Sequence, residues 1–206
     1  MKKEKELDDF GLTPELFDGK HQVIPIISGG DDTIEDVKIP EVLPILTLRA
    51  SVIFPGSVTP ITVGRAKSIA LVRAVDADGG ILGTVLQRDS EIEDPVPDDM
   101  YKIGTSARIL KILDMPNGNL TVILAGLDKI EVGEYITTQP YFKATVTPIQ
   151  DSTPDAKNVE FTALVESIKE VALNIIDISG SMPKEAAFAI KNLDSSRAII
   201  NFICTN

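Results

Sequence analysis

Three residue types that build many functional sites are almost absent from this chain of 206 residues, which has one cysteine, one histidine and no tryptophan. A single thiol cannot form an internal disulfide, and a structural zinc site needs about four ligands. The sequence therefore excludes a disulfide framework, predicts no metal site and fits a reducing compartment. The single histidine, His21, lies in a polar N-terminal segment, so we expect no Ser-His-Asp triad with an ordered base.

Positive charge and long apolar runs are also scarce. The formal net charge is −11, and more than half of this acidic excess lies in the first 42 residues. Proteins that bind a phosphate backbone carry a clustered positive surface, so the composition argues against a nucleic-acid partner. No run approaches the roughly 18 apolar residues of a membrane span, and the N-terminus lacks the apolar region of a secretion signal. We therefore expect a soluble cytoplasmic protein with no membrane partner.

Residues 42–150 have the pattern of short strands separated by turns. Phe54-Pro55-Gly56 joins a large apolar anchor to a turn dipeptide, and Asn117-Gly118 is a strong hairpin signal because both residues tolerate positive φ. Apolar residues that recur every three positions predict a helix over 65–75. The pattern favours a small barrel or sandwich that carries one helix. Strands are predicted at 43–48, 60–63, 81–87, 103–113, 120–127, 130–136 and 142–149.

The periodicity changes after residue 150. Apolar residues at spacings of three and four predict an amphipathic helix over 156–177, and two shorter helices are predicted at 183–191 and 195–203. Cys204, on the last apolar face, is expected to be a small buried hydrophobe. Because this face has little left in the sequence to cover it, we expect the polypeptide to continue beyond residue 206.

The first 41 residues are an acidic extension with two alternative structures. Its composition favours a solvated and partly disordered tail. Alternatively, the apolar residues at 23–27 add an edge strand to the following sheet or to a partner, although Pro25 weakens that pairing.

No nucleotide-binding or catalytic motif occurs in the sequence. The Walker pattern is missing, and the carboxylates of Gly29-Gly30-Asp31-Asp32 would repel the phosphates that such a loop must hold. Lys67 and Ser68 are interpreted as ordinary surface residues. The acidic groups near Asp31 and Asp94 lack the ligand order of an EF-hand. We therefore expect no catalytic, cofactor or metal site in this chain.

Two segments give the chain a family resemblance. The first, Val42 to Val75, contains LPILTLR, VIFPG and VGRAKSI, and the second, Tyr101 to Val132, contains a Gly-Thr strand, a Pro-Asn-Gly hairpin and a Gly-Leu-Asp-Lys strand. With a weaker match at Ile190 to Asp194, they resemble the N-terminal domain of the Lon protease family over residues 42–204. The chain departs from that pattern at Ala50, where the family usually has an acidic residue.

The resemblance implies an α+β fold in three parts. Residues 42–150 would form a PUA-like β pseudo-barrel with one packed helix, and residues 151–206 a small α-helical bundle, after the extension at 1–41. It implies the non-catalytic N-terminal domain of a bacterial ATP-dependent serine protease, an AAA+ homohexamer of the cytoplasm. That hydrolase would degrade unfolded, damaged and regulatory proteins in protein quality control and the stress response. Its Ser-Lys dyad, and the ATPase module that binds ATP and Mg, would lie outside this chain.

Apolar residues near two turns are candidate substrate contacts. They are Ile53, Phe54, Val58, Ile61 and Met115. Such a patch suits unfolded segments, which expose apolar side chains and have no fixed shape. The alternative is that these residues belong to the core.

Two other functional classes stay open beside substrate recognition and hexamer assembly. One is a stand-alone adaptor related to the Lon N-terminal domain. The other is a PUA-like module that binds a small molecule or nucleic acid. Charge opposes nucleic acid, and a chain with three tyrosines and no tryptophan has no evident aromatic pocket for a ligand.

Overall fold

The computed structural model describes residues 26–27, 38–77, 80–150, 152, 158–179, 184–193 and 195–205. Seven strands and one helix precede three further helices. The strands are β1 (Ile26–Ile27), β2 (Val42–Leu48), β3 (Ser57–Val63), β4 (Ile81–Gln87), β5 (Met100–Asp114), β6 (Leu120–Thr137) and β7 (Lys143–Pro148). The helices are α1 (Ala66–Ala77), α2 (Val159–Ser179), α3 (Lys184–Asn192) and α4 (Ser196–Thr205), and a short 3-10 helix spans Pro97–Asp99.

The long strand β6 closes the sheet into a barrel. One side of β6 pairs with β5, while its other side pairs first with β3 and then with β7. Because β7 also pairs with β2, β2 with β4, and β4 with β5, five strands form a closed ring. Strands β3 and β1 extend outward from the first half of β6. The predicted α+β pseudo-barrel is confirmed, and it is followed by the helical bundle.

Strand β2 separates the two apolar cores of the β-rich part of the protein. Leu43 and Ile45 point into one apolar cluster, while Leu46 and Leu48 point into the other. A strand that is buried on both faces reads as a continuous apolar run, as this one does. Pro44 lacks an amide proton, and it lies just before the parallel ladder with β4, which begins at Ile45.

The first core lies beneath helix α1. Leu71, Val72 and Val75 of the helix are at most 4% exposed and pack on the sheet. Their spacing of one, three and four residues forms a single helical stripe, so the helix covers one open side of the sheet.

The second core lies on the other face of β2. Tyr135 meets Phe142 edge to face, with ring centroids 5.7 Å apart, and its hydroxyl donates to the Sδ of Met100 at 3.6 Å. Burial raises the pKa of Tyr135 to about 12. The other buried members are Leu43, Ile45, Val85, Ile130, Val132, Ala144 and Val146.

The turn before β3 depends on two glycines. Gly56 has a φ of 80°, which glycine adopts without the strain that a Cβ would cause. Gly126 of β6 lies against the carbonyl oxygen of Phe54, and its own carbonyl accepts a hydrogen bond from Gly56 at 2.9 Å. The turn is therefore packed directly against the backbone of β6.

The helices after residue 158 share a third core and contact the barrel at the same turn. Asn158 caps α2, since its Oδ1 accepts from the backbone N–H of Phe161 at 3.1 Å. Asn201 of α4 donates through Nδ2 to the carbonyl oxygen of Pro55 at 3.1 Å. The buried residues of the third core are Val165, Ile176, Ala186, Ile190, Leu193, Ile199 and Phe202.

Three expectations from the sequence need correction or comment. The strands predicted at 120–127 and 130–136 are one strand, β6, which changes partners along its length and shows register shifts against β5 and β7. Cys204 is exposed rather than buried, because the buried face of α4 is carried by Ile199 and Phe202. Within the N-terminal extension, Ile26–Ile27 pairs with β3, while His21 and the other residues before 26 lie outside the described residues.

Candidate interaction surfaces

The structure disperses the apolar residues that the sequence grouped as candidate substrate contacts. Ile53, Val58 and Ile61 are 1%, 4% and 9% exposed, so they are not available as a surface patch. Ile53 and Ile61 belong to the core beneath α1. Phe54 is half-buried and Met115 is 41% exposed. A contact between Phe54 or Met115 and a substrate stays a prediction.

The packing of the turn explains that burial. Thr105 donates from its Oγ1 to the carbonyl oxygen of Ile53 at 2.6 Å, which fixes the chain entering the turn to the inside of the sheet. The contact between Asn201 and Pro55 places α4 against the same turn. The turn therefore joins the barrel to the helical bundle.

Helix α2 carries a row of exposed apolar side chains. We name it the α2 stripe, and it consists of Leu164, Ile168, Val171, Ile175 and Ile178. These side chains are 57%, 43%, 57%, 55% and 84% exposed, in that order. Successive members are four, three, four and three residues apart, so they form one continuous row along the helix.

Helix α2 has a second apolar face, which is covered. Val165 and Ile176 are buried in the third core, and Phe161, Ala172 and Leu173 pack against it. At 3.6 residues per turn, each residue advances by about 100°, so this face lies about a quarter turn from the stripe. The periodicity of the sequence predicted one amphipathic helix over 156–177, and its apolar positions include members of both faces. Together these positions form an apolar face wider than usual, and that width was the signal that two different neighbours would be needed to cover it.

The remaining face of α2 is charged. Glu166, Glu170 and Asp177 are exposed and lie on the side away from the stripe. Ser167 and Asn174, which are small or uncharged, border the stripe itself. Over residues 164–178, an apolar partner could therefore cover the stripe without removing a carboxylate from water, which would be costly. The exposed Glu160 lies one turn before Leu164, at the end of the stripe.

A polar cluster lies at the start of α1, between two open cavities of about 440 and 360 Å³. Arg65 lines both cavities and donates to Thr47 Oγ1 at 3.2 Å, to Gln87 Oε1 at 2.7 Å and to the carbonyl oxygen of Ile92 at 3.1 Å. Burial, and secondarily the charge of Arg49, lower the pKa of Arg65. The three acceptors bind Nη1 and Nη2, while the buried Nε has no partner among the described residues. Because these three bonds connect β2, β4 and the loop after β4, Arg65 acts as a structural clamp.

The clamp holds the acidic loop that follows β4. Gln87 is 2% exposed, and its amide also donates to the carbonyl oxygens of Asp89 and Ile92. Lys67 Nζ lies 2.7 Å from Asp94 Oδ1 at the surface of the same loop. The sequence pattern gave no sign of this clamp, because Arg65 and Gln87 are far apart in the chain.

Two further findings concern only the residues that the structure describes. Among them, no three His, Cys, Asp or Glu side chains are grouped closely enough to hold a metal ion. No helix of that part of the chain is long and apolar enough to cross a membrane.

Comparisons with known proteins agree with the sequence resemblance. A family model described as the ATP-dependent protease La (LON) substrate-binding domain matches residues 42–206. Lon protease of Flavobacterium johnsoniae is 44% identical over 207 residues, which cover 100% of this chain and 25% of that protein. Lon protease of Parabacteroides distasonis is 35% identical over 196 residues, which cover 93% of this chain and 24% of that protein.

A solved structure supports the fold independently of close sequence similarity. The N-terminal domain of Mycobacterium avium complex Lon protease has a TM-score of 0.60 to this chain at 21% identity. The match covers 78% of this chain and 80% of that one. The chain spans about a quarter of the length of the curated relatives named above.

Proposed function

Because this chain belongs to the family of ATP-dependent protease La (LON) substrate-binding domains, we propose that it is the non-catalytic, substrate-recognising part of an ATP-dependent protease. The whole protein would be a cytoplasmic homohexamer that degrades unfolded, damaged and regulatory proteins. Its peptidase would use a Ser-Lys dyad, and ATP and Mg would bind in a separate ATPase module. The relatives are named Lon protease and extend well beyond the region that this chain covers, which supports that division.

The α2 stripe is the observation that carries the proposal. Monomeric proteins rarely leave a contiguous apolar row uncovered, and such rows commonly mark interaction sites. Burial of apolar area is non-directional and contributes about 25 cal/mol per Å², so it requires no particular sequence in the partner. Those properties match unfolded polypeptides, which differ in sequence but share exposed apolar side chains.

The proposal is tested by titrating the chain with one model protein in its native form and in a permanently unfolded form. Backbone amide shifts are followed by NMR. We expect only the unfolded form to bind, with shifts at the α2 stripe. Val171→Asp should weaken binding at least about tenfold, a loss of about 1.4 kcal/mol, because it places a charge in the apolar contact.

Ala163→Asp is the matched control, since Ala163 is exposed on the polar face of the same helix. It adds the same charge and should leave binding nearly unchanged. Met115→Asp tests the hairpin separately. Loss of binding in Met115→Asp alone would move the site to the barrel, and binding of neither form would contradict substrate recognition by this chain.

A further inference from the structure

The larger of the two cavities at the start of α1 has an unbalanced positive charge, and we name it the Arg49 cavity. Among the residues that the structure describes, its lining includes Arg49 and Arg65 but no Asp or Glu. In the smaller cavity, Arg65 and Lys67 are balanced by Glu93 and Asp94. An uncompensated pair of cations is unexpected in a chain whose net charge is −11. The Arg49 cavity therefore suits a ligand that carries negative charge.

The two arginines of this cavity differ in what already binds them. Arg65 donates to Thr47, Gln87 and Ile92, whereas the exposed Arg49 has no hydrogen bond or ion pair with any described residue. Burial first, and then the charge of Arg49, lower the pKa of Arg65, so the two guanidinium groups are close enough to repel each other. An anion bound at Arg49 would relieve that repulsion.

The walls of the Arg49 cavity are apolar. Leu46, Leu48, Ile61 and Val63 line it, and all four are at most 9% exposed. Apolar walls lower the local dielectric and strengthen an ion pair. They also favour an anion carried on a hydrocarbon stem over a hydrated inorganic anion, which would lose water without gaining apolar contacts. A carboxylate side chain has such a stem, and its two oxygens match the fork of a guanidinium.

The backbone on both sides of the cavity has room for an extended polypeptide. Residues 46–48 of β2 pair with β4 on one side, while β7 reaches only residues 42–44 on the other. Residues 59–63 of β3 pair with β6, while β1 covers only residues 57–58 of the outer edge. Within the described part of the chain, both segments thus keep one side without a strand partner. The pairing with β1 shows that the edge of β3 accepts an extended segment, although Pro60 has no amide proton and keeps any such ladder short.

We propose that the Arg49 cavity binds an extended acidic segment of a polypeptide, whose carboxylate pairs with Arg49 while Arg65 supplies a second positive charge. The choice of a polypeptide rests on the proposed function, whereas the choice of an anion does not. This contact adds to the one at the α2 stripe, so unfolded chains with acidic residues bind more tightly than neutral chains of equal hydrophobicity. Salt screens charges over about 8 Å, so the other acidic groups of the protein repel the ligand only at short range.

The experiment titrates the chain with a blocked peptide that alternates Glu and Val, and with the same peptide carrying Gln in place of Glu. Backbone amide shifts are followed by NMR. We expect the Glu peptide to shift residues 46–51 and 61–65, and to bind at least about fivefold more tightly than the Gln peptide. The difference should shrink in high salt, since it arises from charge.

Three variants locate the effect. Arg49→Gln should weaken the Glu peptide to the level of the Gln peptide. Arg73→Gln is the matched control, because it removes the same charge from α1 at a site that pairs with Asp114 outside the cavity. It should leave both affinities unchanged. Ala50→Asp adds a carboxylate to the cavity lining beside Arg49, and it should weaken the Glu peptide by competing for the arginine.

Equal binding of the Glu and Gln peptides, or unchanged binding of the Glu peptide by both Arg49→Gln and Ala50→Asp, would refute the carboxylate site. Inorganic phosphate is titrated at the same ionic strength. If phosphate bound as tightly as the Glu peptide and shifted the same residues, the cavity would be a site for small anions and the polypeptide assignment would be wrong.

The permanently unfolded model protein separates this proposal from the proposed function. If it bound at the α2 stripe while the Glu peptide left the cavity unshifted, the carboxylate site would be refuted and substrate recognition would stand. If the Glu peptide bound at Arg49 while the unfolded protein did not bind, the proposed function would fall and the cavity would remain an anion site.

Discussion

Helices α1 and α2 are both amphipathic, but they differ in how much of their apolar surface the protein covers. In α1, Leu71, Val72 and Val75 are almost completely buried against the sheet. In α2, which is nearly twice as long, only Val165 and Ile176 are buried, while six large apolar side chains remain exposed, Val159 and the five of the α2 stripe. The difference shows that periodicity identifies an apolar face, whereas the available neighbours decide whether that face becomes core or surface.

Substituting one residue in each region tests this comparison through the free energy of unfolding. Leu82 of β4 is 0% exposed in the core beneath α1, whereas Ile178 is 84% exposed on the α2 stripe. Leu82→Ala should lower the free energy of unfolding by about 2–5 kcal/mol, because it removes buried methyl groups and leaves a cavity. Ile178→Ala should change it by less than about 0.5 kcal/mol.

Urea denaturation followed by far-UV circular dichroism measures both variants, since the chain has no tryptophan to report by fluorescence. The same Ile178→Ala variant should weaken substrate binding. If Ile178→Ala cost as much stability as Leu82→Ala, the stripe would be part of the core and the contrast between the helices would disappear.

A substitution where the barrel meets the helical bundle should lower stability by a smaller amount than Leu82→Ala. A Cβ at Gly126 would collide with the carbonyl oxygen of Phe54, which is backbone and cannot move aside. Gly126→Ala should therefore cost about 1–3 kcal/mol, the usual range for overpacking. It should also broaden the amide signals of the turn and of α4, because Asn201 bonds to Pro55 there.

Gly64→Ala is the control for that substitution. The nearest atom to a new Cβ at Gly64 is the side-chain oxygen of Asn119, at 2.9 Å, which is the end of a movable group. This variant should be nearly neutral or slightly stabilising, because alanine reduces the entropy of the unfolded chain. Equal losses of stability in both variants would show that the replacement of a glycine, rather than the contact with Phe54, causes the loss.

Local features of the fold were predictable from the sequence. The turn at Phe54-Pro55-Gly56 and helix α1 follow from turn chemistry and periodicity within short segments. The union of two predicted strands into β6 was not, because it depends on partners from three other parts of the chain.

The candidate site was less predictable for the same reason. The sequence marked Ile53 and Ile61 as apolar near a turn, but only the closed sheet shows that they face the core. The amphipathic helix predicted over 156–177 included four members of the α2 stripe among its apolar positions, Leu164, Ile168, Val171 and Ile175, but not Ile178. Which part of its apolar face lacks a partner is a property of the assembled bundle, and no pattern within the helix determines it.

The smallest change in stability is expected when a polar contact at the surface is removed. Lys67 Nζ lies 2.7 Å from Asp94 Oδ1 and 5.7 Å from the ring centroid of Phe142, and the Asp94 side chain is 76% exposed. Exposed ion pairs contribute about 0–1 kcal/mol, and salt screens them. Lys67→Met keeps most of the aliphatic stem, so it should lower stability by less than about 1 kcal/mol, a difference that vanishes in high salt.

The acidic loop should keep its structure in Lys67→Met, because the buried amide of Gln87 and the guanidinium of Arg65 still hold the carbonyl oxygen of Ile92. Amide shifts of residues 88–99 report this directly. A loss above about 2 kcal/mol, beyond the range of exposed pairs, or a disordered loop would mean that the surface charge and not the buried clamp fixes this segment. Burial would then not decide how much a polar contact contributes to stability, even if it decided the contribution of apolar residues in the two helices.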